Sequence, residues 1–190
     1  MINTILFDFV GVLLFQKTGY ITDALTDAID QEIGAVTSDS VFKEWIMREN
    51  SFTPVKFHDL LQAVVNKYEA YEPLWGLLPE LRKRYKLGII NNGSYLTYPL
   101  FEKKYHLSTL FDIFVSSAIE GVCKPDRLIY LRTCEKIGSS PQNCLFMDDR
   151  QENVVAAQKV GMQGIHWMDR ERGFRAFNEC LRSLGSRNLD

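Results

Sequence analysis

Apolar positions along the chain follow two different periods. From Gly19 to about Tyr71 they recur at helical spacing, with Ile21, Leu25, Ile29 and Ile33 in one stripe and Val41, Phe42, Trp45 and Ile46 in a second. Phe57, Leu60, Leu61, Val64, Val65 and Tyr68 make a third. Thr53 followed by Pro54 marks the start of that third helix, a hydroxyl cap ahead of a ring already set at a helical φ. A fourth helix is predicted over about 73–85. Beyond it, short apolar runs at 87–90, 113–115, 144–147 and 164–167 read as strands, as does the run at 2–9. Helical stretches near 99–105, 128–137 and 151–160 separate the later strands, with Gly161 ending the last of these, and Phe174, Phe177, Leu181 and Leu184 mark a final helix. Apolar strands alternating with helices predict an α/β fold, a Rossmann-like parallel sheet covered by helices on both faces. The helical run after the first strand predicts a small inserted cap over 16–71, with the core made from 1–15 and 72–190.

Composition narrows the function classes. At 190 residues, 46% hydrophobic and 24% charged, the chain can bury one good core with room for a small insertion. A formal net charge of −2, without a stripe of Lys and Arg, argues against nucleic acid as a partner. The longest apolar stretches are strand-sized, so no membrane span is expected. No charged n-region precedes the first strand and no C-x-x-C pair joins Cys123, Cys134, Cys144 and Cys180, which predicts free thiols and a cytoplasmic location. His58, His106 and His166 lie far apart without zinc-ligand spacing, and no G-x-S-x-G, Walker A or G-x-G-x-x-G stretch is present.

In parallel sheets ligands bind beyond the carboxyl ends of the strands, so the residues there carry the chemistry. The first strand delivers Asp8, the second Asn91-Asn92-Gly93-Ser94, and the fourth Asp148-Asp149, while Cys123-Lys124-Pro125-Asp126 follows the third. Taken singly, each is an ordinary turn, helix cap or surface lysine. Asp126 is expected to be such a cap, for the helix after it. Taken together, carboxylates from separate strands converging with a lysine suit a hard cation and an anionic substrate. Three carboxylates in one cleft would repel each other strongly without a cation, and Mg²⁺ is the expected one.

Four stretches, "FDFVGVL", "LGIINNGS", "GVCKPD" and "CLFMDDRQENVVAAQKVGM", resemble in order and spacing the four motifs of the haloacid dehalogenase-like hydrolases. The helical run falls where that family carries its cap. The resemblance implies that Asp8 is the nucleophile and that Lys124 holds it and the phosphoryl oxygens by charge. It implies that Asn91, Asn92 and Gly93 belong to the stretch donating to the phosphoryl group. It also implies that Mg²⁺ is bound by Asp8, Asp148, Asp149 and the backbone carbonyl of Val10. Two positions depart from the family pattern. Asn91 replaces the usual Ser or Thr, but its amide still donates. Val10 replaces the acid that usually protonates the leaving oxygen, a group worth roughly 10²–10⁴-fold. Loss of that second acid is shared with the capped branch resembling the phosphatase domain of epoxide hydrolases.

Three functions follow from the resemblance. The first is a Mg²⁺-dependent phosphatase of a small phosphorylated metabolite, working through an aspartyl-phosphate. The second is a 2-haloacid dehalogenase, in which halide leaves unprotonated and Val10 costs little, although that branch uses no such Asp148-Asp149 pair. The third is a catalytically silent protein that binds a phosphorylated ligand or a partner. Trp45, Arg48 and Phe52 are candidate cap residues for reaching the substrate.

Overall fold

A computed structural model of the chain describes residues 1–186; the last four residues of the expected core, 187–190, lie outside them. Five strands form one parallel sheet: β1 (Thr4–Phe7), β4 (Lys86–Asn91), β5 (Ile113–Ser116), β6 (Cys144–Asp148) and β7 (Gln163–His166), in the order β5-β4-β1-β6-β7. The first strand lies in the middle, paired in register with both β4 and β6 (Phe7 beside Ile89 and Met147). Alternation along this strand explains why both faces are covered. Ile5 and Phe7 enter one hydrophobic cluster, with Phe111 and Phe177, while Leu6 enters the other, with Ile129, Tyr130 and Phe146. The α/β architecture with helices on both faces is therefore as expected.

Helices α6 (Tyr98–Tyr105), α7 (Leu107–Leu110), α8 (Ser117–Glu120), α9 (Arg127–Ile137), α10 (Gln151–Lys159) and α11 (Arg170–Ser186) connect and follow the later strands. Asp126 caps α9 as predicted, its carboxylate accepting from Leu128 N at 2.8 Å. Between Phe7 and Lys86 lie α1 (Ala24–Ile33), α2 (Asp39–Glu49), α3 (Pro54–Asn66), α4 (Glu72–Trp75) and α5 (Leu78–Arg82). Thr53 caps α3 through a bond from Lys56 N, and the apolar stripe of α3 is buried.

Three features differ from the periodic reading. Two short strands, β2 (Leu14–Gln16) and β3 (Tyr68–Ala70), pair antiparallel at the base of the helical insert, which places Tyr68 on a strand rather than on the third helix. Ile21 precedes the Asp23 cap of α1 and is 91% exposed, and Val41 faces outward from α2 at 66%. The fourth helix is broken into α4 and α5 around Gly76, because Pro79 has no N–H to extend the ladder to the Trp75 carbonyl. All four cysteines are free, and Cys134 and Cys144 are buried with their sulfurs 3.7 Å apart. No described helix is long and apolar enough to cross a membrane.

Candidate active site

Asp8 follows the central strand, and Asp148 ends the neighbouring one; Lys124 comes from the loop before α9 and reaches between them. Its ammonium donates to Asp8 Oδ1 at 2.6 Å and to Asp148 Oδ2 at 2.7 Å, with the lysine side chain only 2% exposed. A 5.6 Å approach to the Phe146 ring adds a cation–π contact on the sheet side. Asp149 completes a set of three carboxylates, one oxygen of each lying within 4.8 Å of the others. Burial pushes the Asp8 carboxyl up to about 7; Lys124 opposes that shift, while the negative charge of Asp148 and Asp149 adds to it. Burial and the charge of Asp148 likewise raise Asp149. With all three carboxylates ionised, one ammonium leaves a deficit of two positive charges, which a divalent cation matches.

The three acids have different freedom. Asp148 is fully buried and fully committed: Oδ1 accepts from Arg150 N and Asn153 Nδ2, both at 2.9 Å, and Oδ2 from Lys124. Asn153 is fixed on α10, where its carbonyl accepts from the Tyr130 hydroxyl at 2.9 Å, and its own Oδ1 is buried without a partner among the described residues. A buried acceptor left so costs about 1–3 kcal/mol unless a water or ion completes it. Asp149 is the most open of the three, partly shielded where its carboxyl lies against Gly11. That glycine has φ +105°, and a Cβ there would stand 2.6 Å from the Asp149 carboxyl carbon. No side chain other than hydrogen fits beside Asp149.

The asparagine turn is built as a brace as much as a donor. Asn92 clamps the Lys124 peptide at both ends, accepting from Lys124 N at 2.8 Å and donating to Lys124 O at 2.9 Å. Gly93 N donates to Ser117 Oγ at 2.9 Å, and the Gly93 carbonyl accepts from Ser116 Oγ at 2.6 Å. Both the Asn92 side chain and the Gly93 N–H therefore have partners of their own, and among the described residues Asn91 is the side chain of this turn left without one.

Asp8, Val10, Asn91, Asn92, Lys124, Asp149 and Asn153 line one cavity of about 220 Å³. Val10 is 37% exposed there, an apolar group beside the carboxylates. The helical insert contributes Asp30, Ile33, Gly34, Val64 and Tyr68 to the lining. Trp45, Arg48 and Phe52 are absent from this lining; Arg48 instead pairs with Glu49 on the surface. Their helix stripe turns Phe42 and Ile46 inward and leaves Trp45 against a separate surface depression. Sequence reading missed Gly11, Asn153 and Asp30. The first two stand inside recognised stretches at fixed offsets from Asp8 and Asp148, whereas Asp30 is a polar position on an amphipathic helix with nothing local to single it out. The insert is also tied to the turn: Asp39 Oδ1 accepts from Ser94 Oγ at 2.5 Å and from Tyr95 N at 3.1 Å.

The profile of the haloacid dehalogenase-like hydrolases matches residues 2–161, most of the chain. The chain belongs to the haloacid dehalogenase-like hydrolases. Among individual relatives, the sesquiterpene phosphatase astK of Aspergillus oryzae is 47% identical over 60 residues, covering 32% of this chain and 31% of that protein. An (S)-2-haloacid dehalogenase of Pseudomonas putida is 30% identical over 93 residues, covering 49% of this chain and 40% of that one. The matches thus span less than half the length of these curated relatives. A haloacid dehalogenase family enzyme of Bacteroides thetaiotaomicron, crystallised with magnesium and inorganic phosphate, superposes with a TM-score of 0.68 at 18% identity over 87% of this chain and 94% of that one. At that identity the likeness shows the fold. For this haloacid dehalogenase-like hydrolase, phosphatases are among the named relatives, and Asp8 and Asp149 line one cavity with the buried Asp148 within reach of both.

Proposed function

We propose that the chain is a Mg²⁺-dependent phosphatase that hydrolyses a small phosphate monoester through an aspartyl-phosphate on Asp8. The observation that carries this reading is the Lys124 ammonium shared by Asp8 and Asp148, with Asp149 beside them in a cavity partly closed by the insert. The donor set fits a hard divalent cation: oxygen ligands only, a charge deficit of two, and an unpartnered buried Asn153 Oδ1 in the same wall. Asp8, Asp149 and the Val10 carbonyl would hold the ion, and Asp148 would act mainly by positioning Lys124, since its oxygens are already engaged. When bound, the ion supplies charge neutralisation for the phosphoryl group and the nucleophile.

The side chains do the rest. Asp8 attacks phosphorus through the oxygen not held by Lys124, and the ester oxygen departs with the bonding electrons; water then attacks the phosphorus, the bond to Asp8 breaks with its electrons returning to the carboxylate, and inorganic phosphate is released. Lys124 and Asn91 donate to the phosphoryl oxygens as charge develops, a preorganised arrangement that is usually the largest catalytic contribution. Val10 offers no proton to the departing oxygen, so turnover depends on the leaving group's own basicity. The same absence aligns the chain with the capped branch that includes the phosphatase domain of epoxide hydrolases. Residues 16–71 form the cap in this reading, with the Asp39–Ser94 contact latching it over the site. The four free thiols support a cytoplasmic location. A second reading, 2-haloacid dehalogenation, is favoured by the Pseudomonas putida relative and by Val10. Phosphate and halide release from panels of phosphate esters and 2-haloacids, each with and without Mg²⁺, separates the two. Mg²⁺-dependent phosphate release supports the first reading; halide release indifferent to Mg²⁺ replaces it with the second.

A further inference from the structure

The helical insert contributes to the cavity lining a charged group that the chemistry at Asp8 does not use. Asp30, on α1, has a side chain only 10% exposed and lines the same cavity. Its Oδ2 accepts from Lys67 Nζ at 2.8 Å and from the Tyr68 hydroxyl at 2.6 Å. Burial, with the neighbouring Asp30 carboxylate, pushes the Tyr68 phenol well above its usual range, so it remains a donor. No donor among the described residues reaches Asp30 Oδ1. Lys67 is also shared with Asp27, at 2.9 Å, so one ammonium serves two carboxylates and the group keeps a net negative charge. The same lining holds the apolar Phe9, Ile33, Val64 and Phe101, with Thr97 and Arg150 among its polar members.

Resting on the phosphatase reading, we infer that Asp30 selects the leaving group: the substrate is a short phosphate monoester whose far end carries a hydroxyl or ammonium donor for Asp30 Oδ1. Three properties of the wall define that class. The cavity, about 220 Å³, is below the roughly 300–1,000 Å³ of pockets for drug-sized ligands, so the leaving group has few atoms. The apolar residues accept a carbon chain, and Arg150, the cation of the lining besides Lys124, is already paired with Glu152. A carboxylate is acceptor-only, so Asp30 attracts a donor and repels a carboxylate or second phosphate. Lys67 and Tyr68 hold Asp30 in place from the cap side and act as positioning residues.

Binding rather than turnover is the readout, because leaving-group reactivity then does not enter. Asp8→Asn protein is titrated calorimetrically, with Mg²⁺ present, with four probes of similar length: 2-hydroxyethyl phosphate, O-phosphoethanolamine, propyl phosphate and phosphoglycolate. The two donor-bearing esters are expected to bind about 10- to 100-fold tighter than propyl phosphate, the range of a hydrogen bond to a charged group, and phosphoglycolate weaker than propyl phosphate. Adding Asp30→Asn should bring O-phosphoethanolamine to within a few-fold of propyl phosphate and improve phosphoglycolate. A purely structural Asp30 would leave those ratios unchanged. Equal binding of hydroxyethyl, aminoethyl and propyl esters, no binding of any probe, or an unaltered ranking in folded Asp30→Asn protein overturns the inference. If Asp30→Asn does not fold by circular dichroism, the ranking of the four probes on Asp8→Asn protein decides alone. If the parent hydrolyses none of the four while the ranking holds, the phosphatase reading fails and with it the selection of a leaving group, whereas recognition of the donor end of a bound phosphate ester by Asp30 stands.

Discussion

Replacing Lys124 by Met tests how the site is held together. Methionine approximates the length of the lysine stem and keeps its apolar packing, so the substitution removes chiefly the charge. In the structure the lost ammonium sits 2.6 Å from Asp8 Oδ1 and 2.7 Å from Asp148 Oδ2. All three groups are essentially out of water, and breaking a buried pair by deleting one partner costs about 3–5 kcal/mol. Protonation of one carboxylate relieves part of the repulsion, which places the expected loss at the lower end, about 3 kcal/mol. At about 2–4 °C per kcal/mol for a chain of this size, Tm should fall by about 6–12 °C. Urea and thermal unfolding in the presence of EDTA measure this without a metal contribution. Neutralising a former partner should then help: Asp148→Asn is expected to destabilise the parent but to recover about 1 kcal/mol or more in the Lys124→Met background. A Lys124→Met loss below about 1 kcal/mol, with no recovery in the double variant, would refute the claim that this ammonium offsets two buried carboxylates.

Other expectations follow from the same geometry. Asp149→Asn should weaken Mg²⁺ binding by isothermal titration at least tenfold, and more than a surface substitution such as Glu80→Gln does. Gly11→Ala, forced into a positive φ and against the Asp149 carboxyl, should reduce Mg²⁺ affinity and phosphate release together while the circular dichroism spectrum is retained. Val10→Asp should flatten the dependence of kcat/KM on leaving-group pKa and raise alkyl phosphate turnover by about tenfold or more, as measured over a series of aryl and alkyl phosphates. Asp39→Ala, which frees Ser94 Oγ and Tyr95 N, should raise KM more than it lowers kcat if the latch orders the closed insert.

How much of this was legible in the chain depends on the range of the forces involved. The inner strands β1, β4 and β6 were readable because each is an apolar run buried on both faces, the edge strands β5 and β7 by their place between helical stretches, and the acids and lysine because strand ends are where such sheets present chemistry. Asp126 and Thr53 announced themselves as caps by their place before a helix. The paired strands β2 and β3 were not readable, since three residues each are too few to show a period and their pairing joins Leu14 to Ala70. Ile21 and Val41 fit a stripe by spacing alone, yet the helix begins after one and turns the other outward. Trp45, Arg48 and Phe52 were attractive as large cap side chains, but which face of α2 meets the core is decided by tertiary packing. Asp30 owes its place to Lys67 and Tyr68, 37 and 38 residues away, and no local pattern links them.

The central claim is a covalent phosphoryl transfer to Asp8, and trapping that intermediate tests it most directly. Parent protein is mixed with Mg²⁺ and a good-leaving-group substrate such as acetyl phosphate, quenched in acid, digested and mapped by mass spectrometry. The account predicts a phosphoryl group on the peptide containing Asp8, formed only with Mg²⁺, accompanied by phosphate release, and absent from Asp8→Asn protein. Mg²⁺-dependent phosphate release that continues at the parent rate in folded Asp8→Asn protein, or a phosphoryl group on a different residue, would contradict it.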